Sequence, residues 1–156
     1  MREIIFRGKD PETGRWYEGQ YIHLHKTTYC FDTDYAMNPD NDIHQIVFER
    51  MTDWGLPNDH LRADVTPDSV GQYTGLRDKN GKRIFEGDIV EGHCHSAWSH
   101  RLQRCVIAYG RDGFEARNHI DGIDSDYYTY RVLFSKDVAV IGNIHDNPEL
   151  LGGGEE

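Results

Sequence analysis

The stretch GLRDKNGKRIFEGDIVEGHCH runs from Gly75 to His95 and decides how the rest of the chain is read. Asn80-Gly81 inside DKNGK reads as a hairpin turn, because both residues tolerate the positive φ that a type I′ turn requires at its two centres. Arg83–Phe85 returns from that turn as a short strand. Gly87-Asp88 then precedes Ile89-Val90 at a strand entry, where the Asp88 carboxylate is placed to cap backbone N–H groups. Upstream, Ser69–Gly75 is the first arm of the hairpin. Downstream, Gly87–His93, Arg104–Tyr109, Gly113–Arg117, Tyr127–Phe134 and Val138–Ile144 are further short apolar runs, with Asp112-Gly113 as a second tight-turn signal. Short strands at such spacing without crossover helices predict a small barrel or sandwich. Asp146–Leu151 reads as a closing helical turn with Asn147 as N-cap and Pro148 at the first helical position. The last five residues, 152–156, read as a frayed tail.

The N-terminal half is less regular. Glu3–Arg7 and Trp16–His25 read as two strands joined by a turn built on Gly8, Asp10, Pro11 and Gly14. Trp16–His25 alternates Trp16, Glu18, Gln20, Ile22 and Leu24 on one face with Tyr17, Gly19, Tyr21, His23 and His25 on the other, a pattern of aromatic and β-branched residues that suits a half-buried pleat. Thr27–Phe31 reads as another short strand, and Asp32–Asp42 as an acidic loop. Ile43–Met51 fits both helical and strand spacing; Ile46, Val47 and Phe48 tip it toward a strand. Thr52–Asp64 reads as a connector. The expected organisation is an N-terminal β subdomain over residues 1–64, a signature hairpin with an SH3-like small barrel over 65–151, and the tail.

Composition removes several classes of function. The chain has 156 residues, 27 acidic against 17 basic, and a formal net charge of -10. No run of three basic residues occurs, so the clustered cations that bind phosphate backbones are missing and nucleic acid is not an expected partner. The charge is the ordinary signature of solubility; the sharper alternative is an acidic surface that mimics nucleic acid or meets a basic partner. Three cysteines, Cys30, Cys94 and Cys105, are odd in number and irregular in spacing, which argues against a disulfide framework. The N-terminus lacks the apolar core of a signal peptide, and no apolar run reaches the ~20 residues of a membrane span. A cytoplasmic protein with reduced thiols is expected, without a cofactor.

The histidines carry the sharpest chemical alternative. Gly87, five residues, then His93-x-His95 resembles the first part of the cupin metal motif, and alternate strand residues share a face. His100 stands where that motif carries glutamate. Three imidazoles would hold zinc or iron with an open coordination position. Against this, the glutamate is replaced, the following glycine is displaced, and no second histidine motif follows; the plainer account is a solvated loop at a strand end. His23 and His25 also share a face, and exposed strand histidines are the plainer account there too. No G-x-S-x-G elbow or P-loop is present. Asp124 and Asp126 lie in a polar stretch that lacks the glycine and terminal glutamate of a calcium loop. Trp98, Tyr109, Phe114 and Tyr127–Tyr130 would stack bases if exposed, but Arg101, Arg104, Arg111 and Arg117 are interleaved with acids and form no groove.

Val70–Val90, VGQYTGLRDKNGKRIFEGDIV, closely resembles the signature of the YopX family. The opening REIIFRGKDPETGRWYEG and the closing VIGNIHDNPELL (Val140–Leu151) resemble that family's two ends. Thr27–Asp64 and His93–Arg101 match nothing in it. The resemblance implies a protein encoded by bacteriophages, prophages and related mobile elements, with a mostly β fold whose C-terminal part is an SH3-like barrel. It implies no catalytic residue, cofactor or substrate. Residues such as Gly75, Gly81 and Asp88 make sense as architecture, so the expected role is a non-enzymatic binding or assembly module. A small core, strand edges and many aromatics point to a homo-oligomer, with a host or phage protein as a further partner.

Overall fold

The computed structural model describes residues 3–93, 102–118 and 137–151. Every strand pairing among them is antiparallel. The chain divides into two compact units, Ile4–Gln72 and the chain from Tyr73 onward with the first three residues.

In the first unit, β1 (Phe6–Lys9) and β2 (Trp16–His25) form the expected hairpin. Its turn is closed by Asp10, whose Oδ1 accepts the N–H groups of Glu12 and Thr13 at 2.8 and 2.9 Å. β3 (Asp42–Arg50) pairs with β2, which resolves the ambiguity of Ile43–Met51 in favour of a strand and leaves Ile46 fully buried. β4 (Asp59–Asp64) pairs with β3 and forms an edge. Val65 is buried, and its N–H reaches the carbonyl of His44 at 2.9 Å.

Three expectations in this unit are corrected. Thr27–Phe31 is not a strand: Thr27 is held instead by the amide of buried Asn41, which accepts its N–H at 2.8 Å and donates to its carbonyl at 2.9 Å. The acidic loop contains a helix, α1 (Asp32–Met37), with Asp32 and Asp34 in its first turn, where negative charge meets the positive end of the peptide dipoles. The Tyr35 hydroxyl of α1 anchors the preceding loop by accepting the N–H of Tyr29 at 2.9 Å. The connector contains β4, whose charges hid it. Register against β3 sets Leu61 opposite Phe48 and Ala63 opposite Ile46, and an edge strand tolerates the charged residues between them.

In the second unit, β5 (Gly71–Arg77), of which the first two residues belong to the other unit, pairs with β6 (Arg83–Phe85). β7 (Asp88–His93), β8 (Leu102–Gly110), β9 (Gly113–Asn118) and β10 (Ala139–Asn143) form a sheet in the order β10-β7-β8-β9. This sheet is open, and the described strands close no barrel; Tyr127–Phe134 lies outside the described residues. Ile84, Val90, Cys105, Ile107, Ala116 and Val138 make the core, with Leu76, Phe114 and Val140 packed on it. Each large aliphatic side chain buried here contributes about 1.5–3 kcal/mol. Pro148–Leu151 is the expected closing turn, of 3-10 type.

The signature's turn differs in detail from the type I′ expectation. Gly81 N–H bonds to the Asp78 carbonyl at 2.9 Å and Asp78 N–H to the Lys82 carbonyl at 2.8 Å, so Lys79-Asn80 are the turn's centres. Gly81, at φ 81°, follows them as the left-handed residue of a three-residue hairpin loop. Gly75, at φ 87°, lies at the irregularity in β5–β6 pairing. Buried Asp88 performs the expected capping, its Oδ2 accepting the N–H of Phe85 at 2.7 Å.

Candidate histidine–aspartate site on the N-terminal sheet

The alternation of β2 places Tyr21, His23 and His25 on one face. Register with β3 sets Tyr21 opposite Ile46, His23 opposite His44 and His25 opposite Asp42. Residues directly opposite in an antiparallel pair share a face, so two short polar alternations, His23-x-His25 and Asp42-x-His44, meet as one cluster. Asn41 fixes the entry to β3 by accepting the Lys26 N–H on its carbonyl at 2.8 Å. Tyr35 of α1 packs on the His25 ring at 4.6 Å between centroids.

Asp42 is the hub. Its Oδ1 lies 2.8 Å from His25 Nδ1 and 3.6 Å from His23 Nε2. The His23 and His44 rings stack at 4.5 Å and 12°. The Tyr21 hydroxyl meets His44 Nδ1 at 2.6 Å. The hydrogen bond from His25 holds the Asp42 carboxyl below the ordinary aspartate range; burial opposes this, and the hydrogen bond and charge of His23 reinforce it. Burial, then the neighbouring charge of His23, pushes the His44 imidazole down, against the pull of Asp42. Burial and the Asp42 charge push the Tyr21 hydroxyl up. One ligand atom from each of His23, Asp42 and His44 lies within 4.8 Å of the others. The arrangement keeps a carboxylate ionised among imidazoles and offers lone pairs of two chemical types to one point.

The sequence reading found half of this site. It placed His23 and His25 on one face but did not connect them to Asp42 and His44, because spacing within one strand says nothing about register across two. The available signal was the Asp42-x-His44 alternation at the start of an apolar run. Of the residues singled out by the cupin-like spacing, His93 ends β7 opposite Leu102; His95 and His100 lie outside the described residues, as do Cys94, Asp124 and Asp126.

Of the arginines that a nucleic-acid role would call on, two are paired with acids. Arg104 pairs with Glu91 at 3.1 Å and Arg117 with Glu115 at 2.7 Å. Tyr109 is 61% exposed and contacts Phe114 edge to face, while Trp98, Arg101 and Tyr127–Tyr130 lie outside the described residues. No helix among the described residues is long and apolar enough to cross a membrane. Among the described residues the two most exposed large apolar side chains lie elsewhere, in the segment between β3 and β4: Met51 is 81% and Trp54 99% exposed, with Leu56 at 61% two residues on.

Comparison with known proteins agrees with the fold just described. The crystal structure of protein EF1440 from Enterococcus faecalis is similar to this chain, at 26% identity and a TM-score of 0.50, covering 97% of this chain and 99% of that one. No curated protein matches. The model of the YopX protein family matches residues 5–152. With nearly the whole length covered, the chain belongs to the YopX family.

Proposed function

We propose that this protein is a non-enzymatic binding or assembly module, of phage or prophage origin and cytoplasmic, that works as a homo-oligomer. The observation that carries the reading is the β3–β4 tip, where Met51, Trp54 and Leu56, within six residues of chain, are all exposed to solvent. Tryptophan is enriched among the few residues that dominate binding energy, and a cluster of exposed apolar side chains marks an interaction surface. A second copy of this chain is the occupant that fits, because the tip continues into β4. That strand is hydrogen-bonded on one side only among the described residues, so a copy's strand can extend the sheet there while its tip covers Trp54. The same reading takes the C-terminal strands, with their tight turns, as an SH3-like module, and residues 1–64 and 65–151 as its two functional parts.

Light scattering at micromolar protein tests this. The expected mass is a multiple of the chain mass, falling to that of one chain in Trp54→Ser. Because each copy carries a net charge of -10, association should strengthen as salt screens the repulsion. Binding to a basic protein through acidic mimicry would weaken instead. A clean monomer at every salt concentration overturns the reading.

A further inference from the structure

We propose that His23, Asp42 and His44 form a binding site for a divalent transition metal, zinc in the first instance, with Tyr21 and His25 holding the ligands from behind. This site goes beyond the assembly role and shares no residue with the Trp54 tip.

Two imidazoles and a carboxylate are zinc ligands, and three protein ligands with a fourth position open to solvent is a familiar zinc arrangement. Hard cations such as magnesium favour all-oxygen sites, so the two nitrogens also select among metals. Ligand bonds of about 2.0–2.1 Å in a tetrahedron put ligand atoms about 3.3–3.4 Å apart. His23 Nε2 and Asp42 Oδ1 already stand at 3.6 Å. The widest separation in the trio is within 4.8 Å; closing it to tetrahedral spacing takes at most about 1.5 Å and needs only side-chain torsions on a half-exposed face. In doing so the His23 and His44 rings leave their parallel stack.

Metal-bound histidines and carboxylates are ordinarily oriented by a further hydrogen bond, and the trio has such outer partners. Tyr21 meets His44 at Nδ1. With that nitrogen protonated and donating to the Tyr21 oxygen, the lone pair of Nε2 is left for the ion. His25 donates from Nδ1 to Asp42 Oδ1, which steadies the carboxylate and leaves that oxygen a second lone pair for the ion. A row of exposed strand histidines required by packing alone would not need a carboxylate diagonal to His23 and a hydroxyl on His44. The scaffold is also stiff: all of the groups sit on paired strands, none on a free loop. The exposure of His23 and Asp42, 44% and 31% of their side-chain surfaces, leaves a path for the ion to enter.

The test uses the full chain without a histidine tag, stripped with chelator and titrated with zinc chloride by calorimetry, with the thermal midpoint followed in parallel. One zinc per chain at this site and a raised midpoint are expected, with no shift from magnesium chloride. His23→Ala and Asp42→Asn should each weaken zinc binding at least about tenfold, and Tyr21→Phe about tenfold, the scale on which orienting partners act. The metal-free midpoint of each variant reports whether it folds; His23 is exposed, so its alanine variant keeps the test available if another fails. His93→Ala/His95→Ala and Trp54→Ser should bind zinc as the parent does. Absence of zinc binding at millimolar metal overturns the proposal. So does zinc binding that survives both His23→Ala and Asp42→Asn, or that is lost in His93→Ala/His95→Ala.

Discussion

Gly19→Ala is expected to destabilise the protein by about 3 kcal/mol or more, a large share of the roughly 5–15 kcal/mol that holds a domain of this kind together. The cause is space rather than backbone conformation. A Cβ built on Gly19 falls 2.0 Å from the Val47 carbonyl oxygen and 3.2 Å from Ile46 Cγ2. The first neighbour is main chain of β3, held in the ladder that begins at Gln20 opposite Val47. It retreats only if that ladder opens, and the ladder positions His44 and Asp42 farther along. Gly81→Ala provides the contrast: a Cβ there has nothing within 4 Å, and the cost is confined to its φ of 81°. That conformation costs an alanine about 1–2 kcal/mol. Urea unfolding of the two variants checks the ordering. A loss below about 1 kcal/mol for Gly19→Ala would contradict the β2–β3 register.

Asp78→Ala is the second large loss, about 3–5 kcal/mol, given that each hydrogen bond to a charged group contributes roughly 1.5–3 kcal/mol and that the losses are not additive. Asp78 is 7% exposed. Its Oδ1 accepts the N–H groups of Asn80 at 2.8 Å and Lys82 at 2.9 Å, and its Oδ2 that of Val140 at 3.1 Å. One carboxylate thus fastens the hairpin turn to β10 across 62 residues of chain. Asp78→Asn should recover part of the loss, because its amide oxygen replaces one acceptor while its NH₂ confronts a remaining N–H donor.

The same site sets a response to acid. Burial works to raise the Asp78 pKa, but the backbone N–H groups of Val140, Lys82 and Asn80, with the Asn80 side chain, outweigh it and hold the carboxyl below the ordinary aspartate range. A group with a depressed folded pKa contributes stability that is fully present above its unfolded value, near 3.9, and is lost as pH falls through the folded one. Wild-type stability should therefore fall below about pH 4, and the part of that slope due to Asp78 should vanish in Asp78→Asn. An unchanged slope in the variant would sink the assignment.

The strands of the second half were legible because each carries its own signal. Asn80-Gly81 marks the turn, Gly87-Asp88 the strand entry, and Ile89-Val90 and Val106-Ile107 the apolar runs. β4 was not legible: Asp59, His60, Arg62 and Asp64 look like solvated loop until Leu61 and Ala63 are seen facing Phe48 and Ile46. α1 was hidden for a related reason. Six residues with two acids and no buried side chain carry too little periodicity to register as a helix, and its support comes from Tyr35 reaching the loop before it.

The sequence by itself determined the family, through its ordered signature over Val70–Val90, and the β character and turn positions, which depend on local backbone preference and on alternation within single strands. Only the tertiary structure decided the candidate site. His23 and His25 were visible as neighbours on one face, but Asp42 and His44 lie across a loop of some 16 residues, counted from His25 to Asp42. They join the histidines only through the β2–β3 register, and a slip of one residue would have turned them to the opposite face. What holds that register is the close passage of Gly19 beneath the Val47 carbonyl and the burial of Ile46, two contacts between strands that no pattern within either strand contains.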